Sequence, residues 1–144
     1  MIFLEKGVKI NAQVYQDKVL RGVVEPWTCE HFKGDHWVFQ QDWVPAHGAK
    51  TTIALCKDLF PEPWGKEIWC SNSPDLNLMD YAMWSILEKK VCAKNYATVD
   101  SLKQGLLKAW DEITVDQVAA IVDNFLKRLR ACVQAQGGHF ENLL

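Results

Sequence analysis

The spacing of apolar and polar positions divides the chain into an α/β front and an all-helical rear. Met1–Leu4 and Val8–Ile10 are short apolar stretches on either side of Gly7, a pattern that predicts a bent strand at a sheet edge. From Ala12 to Val24 the apolar positions Val14, Leu20, Val23 and Val24 stand among good helix formers. A helix is therefore expected there, stopped at Glu25-Pro26 because a residue preceding proline is pushed out of the α region. His36–Asp42 is aromatic and β-branched and follows Lys33-Gly34-Asp35, which predicts a buried strand delivering Asp42 at its C-terminal edge. Pro45 then opens a helix running to about Leu59. Past the Pro61–Gly65 turn cluster, Glu67-Ile68-Trp69 reads as a second strand. Strand, helix, strand is the pattern of a parallel α/β unit.

The rear predicts three helices, and their caps place the starts. Asn77 with Asp80, and Thr114 with Gln117, each fit the capping box, in which two side chains satisfy two orphan backbone donors at a helix N-terminus. Helices are expected to begin near Leu78 and Val115, and Thr98 caps another through Leu102, Leu106 and Trp110. In the last helix Val118, Ile121, Val122, Phe125, Leu126, Leu129 and Val133 share one face, and Gly137-Gly138 ends it.

Composition narrows the class. With 144 residues, 49% of them hydrophobic, and seven Trp, the chain can build one domain with a core, and its 24% charged content is that of a globular protein. The formal charge of −2 lacks the footprint of a dedicated nucleic-acid-binding domain. It is uneven, however. Residues 1–88 carry eight basic and twelve acidic side chains, whereas residues 89–144 carry eight and six, so any contact with DNA falls to the C-terminal helices. Five cysteines without a C-x-x-C pair fit buried thiols in a reduced, intracellular compartment, and Cys29-Glu30-His31 lacks the second half that a zinc site requires. No apolar run approaches the roughly 18 residues of a membrane span, and the N-terminus does not read as a signal peptide.

Two segments carry candidate chemistry: Gln41-Asp42-Trp43-Val44-Pro45-Ala46-His47, and Ser71 to Asp80, which contains Ser73-Pro74-Asp75-Leu76-Asn77. Each sets a carboxylate at the end of an element, the arrangement by which acids on a rigid frame hold divalent cations for phosphoryl transfer. Read without further context, Asp80 is equally a capping partner of Asn77, Asp42 a strand-end acid and His47 a helix-start residue.

These segments resemble the mariner/Tc-type DDE transposases, whose second acid lies in a Q-D-x-A-P-A-H box and whose third follows S-P-D-L-N-P. The resemblance implies an α/β, RNase H-like fold, here N-terminally truncated, with a short sheet of about three strands and a helical C-terminal half. It implies Asp42 and Asp80 as catalytic, metal-binding residues with 37 residues between them. It also implies Mg²⁺ or Mn²⁺ as cofactor, weakly bound here, DNA at transposon ends as partner, and a nuclear location; the strand edge left open on His36–Asp42 by the missing strands predicts self-association into a homo-oligomer. His47, Lys127, Arg128 and Arg130 are the candidate nucleic-acid contacts. The family's first acid has no counterpart in the 41 residues before Asp42, so cleavage by this chain alone is not expected. Val44, Cys70 and Leu78 depart from the family's Ala, Pro and Pro, and losing a proline at the first helical position forfeits a preset φ. The alternative is a non-catalytic nucleic-acid-binding or protein-interaction module on the same fold.

Overall fold

The structure is a computed structural model that describes residues 1–136 and 138–144. Contacts cluster into two compact units, Ile2–Asn72 and Ser73–Leu144.

The first unit opens on a helical run in three registers: α1 at Ala12–Val14, a π-helical stretch at Tyr15–Val24, and α2 at Glu25–Phe32. Asn11 caps the start by accepting from the Val14 N–H at 2.9 Å. The expected stop at Glu25-Pro26 does not occur. Glu25 N–H reaches back five residues to the Leu20 carbonyl, and Pro26 enters in the first turn of α2, where its missing N–H costs no hydrogen bond. The helix ends instead at Lys33, which takes a left-handed φ of 48° ahead of Gly34 at 95°.

The strand read over His36–Asp42 is reduced to β1, Val38–Phe39, and Asp42 lies three residues beyond its end. Pro45–His47 form a turn, and the helix expected to open there begins five residues later as α3, Lys50–Leu59. Phe60 leaves α3 in extended conformation and leads directly into β2, Glu62–Pro63, which pairs parallel with β1 in the register Val38 with Glu62 and Phe39 with Pro63. The second strand thus falls inside the proline cluster that reads as a turn, while Glu67–Trp69 is a turn closed by Trp69 N–H to the Gly65 carbonyl at 2.9 Å. Pro63 is tolerated because the following Trp64 N–H supplies the bond to the Phe39 carbonyl, at 3.0 Å. Residues 1–10 form no strand; Gly7 turns at φ 87° and Ile10 is 60% exposed. The sheet among the described residues has two strands, not three.

The strand–helix–strand unit is closed by a core of Tyr15, Leu20, Ala46, Leu55, Cys56 and Phe60, with Trp37 and Phe39 packed on it. Aromatic rings extend it: Phe32 stacks on Trp37 at 4.8 Å, and Phe60 lies 5.3 Å from Trp37 and 4.3 Å from Phe39.

The second unit is helical throughout. A π-helical turn at Met79–Met83 runs into α4, Trp84–Cys92, followed by α5, Val99–Asp111, α6, Val115–Gln134, and a 3₁₀ turn at Glu141–Leu143. Thr98 with Ser101, and Thr114 with Gln117, form full capping boxes. At the first helix Asn77 accepts instead from the Met79 N–H at 3.3 Å, two residues on, and Asp80 does not complete a box. Leu87 and Val91 of α4 pack against Ala109 of α5, with Tyr96, Leu102 and Leu106 around them. Gly105 permits this approach, because a Cβ there would overlap the Tyr96 ring. Helix α6 ends at Gln134, and Gln136, at φ 53°, takes the left-handed position expected of the glycine pair; Gly137 lies outside the described residues.

Candidate active site

Asp42 follows β1 on the loop leading to α3, and its carboxylate is fixed by its own neighbours. Oδ1 lies 2.6 Å from His47 Nδ1 and accepts the Val44 N–H at 3.2 Å. The side chain remains 42% exposed, so the carboxylate is oriented yet open to solvent. A second layer holds that loop in place. Gln41 Oε1 accepts from the Tyr15 hydroxyl at 2.9 Å and its Nε2 donates to the His47 carbonyl at 3.4 Å, while the Tyr15 and His47 rings lie 4.0 Å apart. Thr52 Oγ1, fully buried, donates to the Ala46 carbonyl at 2.8 Å and accepts from Gln16 Nε2 at 2.9 Å. Trp43 Nε1 donates to the Trp69 carbonyl at 2.9 Å. Tyr15 and Gln16 of the π-helical run and Thr52 of α3 thus tie down the Asp42 loop, directly or through one another. Burial, with Cys56 and Asp42 adding to it, drives the Tyr15 hydroxyl well above the usual phenol range, which keeps it a neutral donor to Gln41.

Asp80 sits on the first turn of the π-helical segment and is exposed. Its position comes from the residues beside it. The next residue, Tyr81, donates its hydroxyl to the Ile121 carbonyl of α6 at 2.8 Å. Arg128 of α6 places its guanidinium 4.4 Å from the Tyr81 ring centre and donates from Nη1 to the Asp75 carbonyl at 2.8 Å. It also reaches Glu141 Oε1 at 3.4 Å. Arg128 therefore clamps the Ser73–Asn77 loop, Tyr81 and the C-terminal turn, and only 11% of its side chain is exposed.

Of the sequence-derived site residues, the structure brings His47 onto Asp42 and buries most of Arg128 in intramolecular contacts, while Lys127 and Arg130 are exposed on α6. Tyr15, Gln16 and Thr52, which hold the Asp42 loop, were not legible as site residues. Among the described residues no group of three or more His, Cys, Asp or Glu side chains is arranged to hold a metal ion. Asp42 lies in the first unit and Asp80 in the second. No helix among the described residues is long and apolar enough to cross a membrane.

No established family model matches the chain. In sequence it is 35% identical over 135 residues to the transposable element Tc3 transposase of Caenorhabditis elegans, covering 90% of this chain and 38% of that protein. It is 30% identical over 129 residues to the Tcb1 transposase of Caenorhabditis briggsae, covering 89% of this chain and 45% of the relative. The chain therefore spans less than half the length of the curated relatives it matches. In fold it superposes on the crystal structure of the catalytic domain of Mos1 mariner transposase with a TM-score of 0.81, at 21% identity, over 96% of this chain and 68% of that one. Transposases are thus its sequence relatives and its fold is that of the RNase H-like catalytic domain of a mariner transposase, so the chain is similar to part of a mariner/Tc-type DDE transposase.

Proposed function

We propose that this chain is a transposase-derived, DNA-acting module in which Asp42 and Asp80 are ligands for Mg²⁺ or Mn²⁺, and that the 144 residues alone bind the metal weakly and do not cleave DNA. The observation that carries the reading is the Asp42 carboxylate, oriented by His47 and the Val44 N–H and still open to solvent. An oriented, exposed carboxylate is what a hard cation requires of a ligand, and water completes the rest of its shell. Bound divalent metal would polarise the phosphodiester and stabilise charge on the attacking and leaving oxygens. His47 serves as the orienting partner of Asp42, and the exposed Lys127 and Arg130 are the residues left to meet a phosphate backbone. The substrate class is DNA at transposon ends, and the site of action the nucleus.

Mn²⁺ binding followed by electron paramagnetic resonance, paired with a supercoiled-plasmid nicking assay, tests this. Weak binding is expected, reduced by about tenfold or more in Asp42→Asn and in Asp80→Asn, a difference of about 1.4 kcal/mol or greater. No nicking is expected. Binding unchanged in both variants would remove the ligand assignment. Robust nicking that vanishes in Asp42→Ala would show that this chain holds a complete site and overturn its inactivity.

A further inference from the structure

The loop that carries Asp42 also walls a cavity of about 180 Å³ in the first unit. Its faces are the rings of Phe39, Trp43 and Trp64, and its charged groups are Lys57, Lys66 and Glu67. One buried residue sets both indoles. Trp69, 6% exposed, accepts the Trp43 Nε1–H on its carbonyl at 2.9 Å and stacks on the Trp64 ring at 6.3 Å, with 27° between the planes. Trp64 is tied to β1 as well, through its N–H to the Phe39 carbonyl at 3.0 Å. Neither indole is closed over by the fold, since Trp43 and Trp64 are both half-buried. Gly65 lets Glu67 fold back against the turn, because a Cβ there would overlap the Glu67 carboxylate. Lys66 Nζ lies 5.1 Å from the centre of the Trp43 ring, which sets a positive charge at the aromatic wall.

We propose that this cavity takes one unpaired base of the DNA strand engaged at Asp42, stacked on its indole walls, with Lys57 and Lys66 on the phosphates that flank the base. The inference rests on the reading of the chain as a DNA-acting module. Three features select this occupant. The walls are flat aromatic surfaces held in place before any ligand arrives, and every nucleobase has a face to stack on them. Two exposed ammonium groups stand against one carboxylate, so the site favours a ring joined to an anion and disfavours the alkylammonium groups that other aromatic cages hold. Glu67 supplies the acceptor that an exocyclic amino group requires. The third feature is place. Gln41 and Trp43, which line the cavity, stand on either side of Asp42, so a base seated there belongs to a nucleotide beside that carboxylate. Within a duplex both faces of a base are covered by its neighbours, and only an extruded or single-stranded base can enter.

The test is titration of the 144-residue chain into a short single strand carrying one 2-aminopurine between abasic sugars, in EDTA so that metal plays no part. Binding that quenches the 2-aminopurine emission is expected, since the probe has no neighbouring base and can stack only on the protein. Trp64→Ala should weaken binding at least about fivefold and abolish the quenching. Trp64→Phe, which keeps a ring against Trp69, should recover most of both. Lys57→Ala, at an exposed position of α3 that should leave the circular dichroism spectrum intact, should lower the slope of log Kd against log salt by about 0.7. Absence of binding overturns the proposal. So does affinity indifferent to Trp64→Ala, or equal affinity for a fully abasic strand, because the sugar–phosphate backbone alone would then account for it. Deoxyadenosine monophosphate bound as tightly as the strand would assign the cavity to a free nucleotide and overturn the DNA strand as occupant. Quenching retained in a chain that fails to bind Mn²⁺ would remove the metal assignment and uphold the base site, whereas Mn²⁺ binding without quenching would remove the base site alone.

Discussion

Asp42 is held by bonds to its own carboxylate, whereas among the described residues nothing bonds the Asp80 carboxylate, and Asp80 inherits its place from the residues on either side. In the first unit His47 and the Val44 N–H grip Asp42 Oδ1, and Tyr15, Gln41 and Thr52 hold the loop. In the second unit Arg128 and Tyr81 fix the backbone before and after Asp80 and leave the acid in water. The difference shows that an acid can be positioned from its own side chain or through its backbone, and that the two arrangements fail differently. Damage to the first seat alters the carboxylate directly; damage to the second unravels the scaffold and moves the carboxylate with it.

The largest effect expected from this contrast is in the second unit. Arg128→Leu removes a largely buried cation from the Tyr81 ring, the Asp75 carbonyl and Glu141, and should cost about 3 kcal/mol in urea unfolding followed by far-ultraviolet circular dichroism. Lys127→Ala and Arg130→Ala, on the exposed side of the same helix, should each stay within about 0.5 kcal/mol. Equal effects from all three would show that Arg128 is no clamp.

A middle-sized effect separates the units by their response to alkali. Burial pushes the Cys56 thiol, 2% exposed in the core of the first unit, up to about 11. Because this folded value lies above the unfolded one of 9.0, the fold keeps its proton longer than the unfolded chain does. Stability is full below about pH 9 and is lost as pH rises toward 11, by about 2 kcal/mol at ~1.4 kcal/mol per pH unit. Tyr15, also raised by burial, adds to the loss at higher pH. Five of the seven tryptophans lie in this unit, so the midpoint of urea unfolding followed by tryptophan fluorescence reports the trend, and Cys56→Ala should flatten its slope between pH 9 and 11.

The smallest effect lies on the acid side of the second unit. A hydrogen bond from Lys90, with that residue's charge, holds the Glu112 carboxyl below the usual glutamate range. A lowered folded value means that its contribution is present above the ordinary glutamate pKa and is lost as pH falls through the folded one. Lys90→Met should remove that part of the acid dependence, read as a flatter helical signal between pH 5 and 3, and leave the neutral-pH midpoint nearly unchanged because the pair is exposed. A large shift at pH 7 would mean that the pair matters more than its exposure allows.

Much of the architecture was legible because it rests on local chemistry. Thr98 and Thr114 cap helices wherever they stand, since a hydroxyl one step ahead of a helix satisfies an orphan N–H, and apolar spacing fixes helical faces. The Q-D and S-P-D-L-N segments located Asp42 and Asp80 through their resemblance to a family. What the sequence could not reveal was decided by contacts between distant residues. The strand at Glu62–Pro63 exists because the end of α3 delivers Phe60 and Pro63 alongside Phe39, and a proline cluster read in isolation is a turn. The helix passes Pro26 because a π register shifts the bonding by one residue, which depends on the packing of Leu20 and Tyr15 against α3. Arg128 reads in the sequence, beside Lys127 and Arg130, as a candidate nucleic-acid contact, and only tertiary structure turns it inward onto Asp75 and Tyr81. Local propensity and capping thus set the elements, whereas which carboxylate is gripped and which base is buried depend on distant side chains that no local spacing encodes.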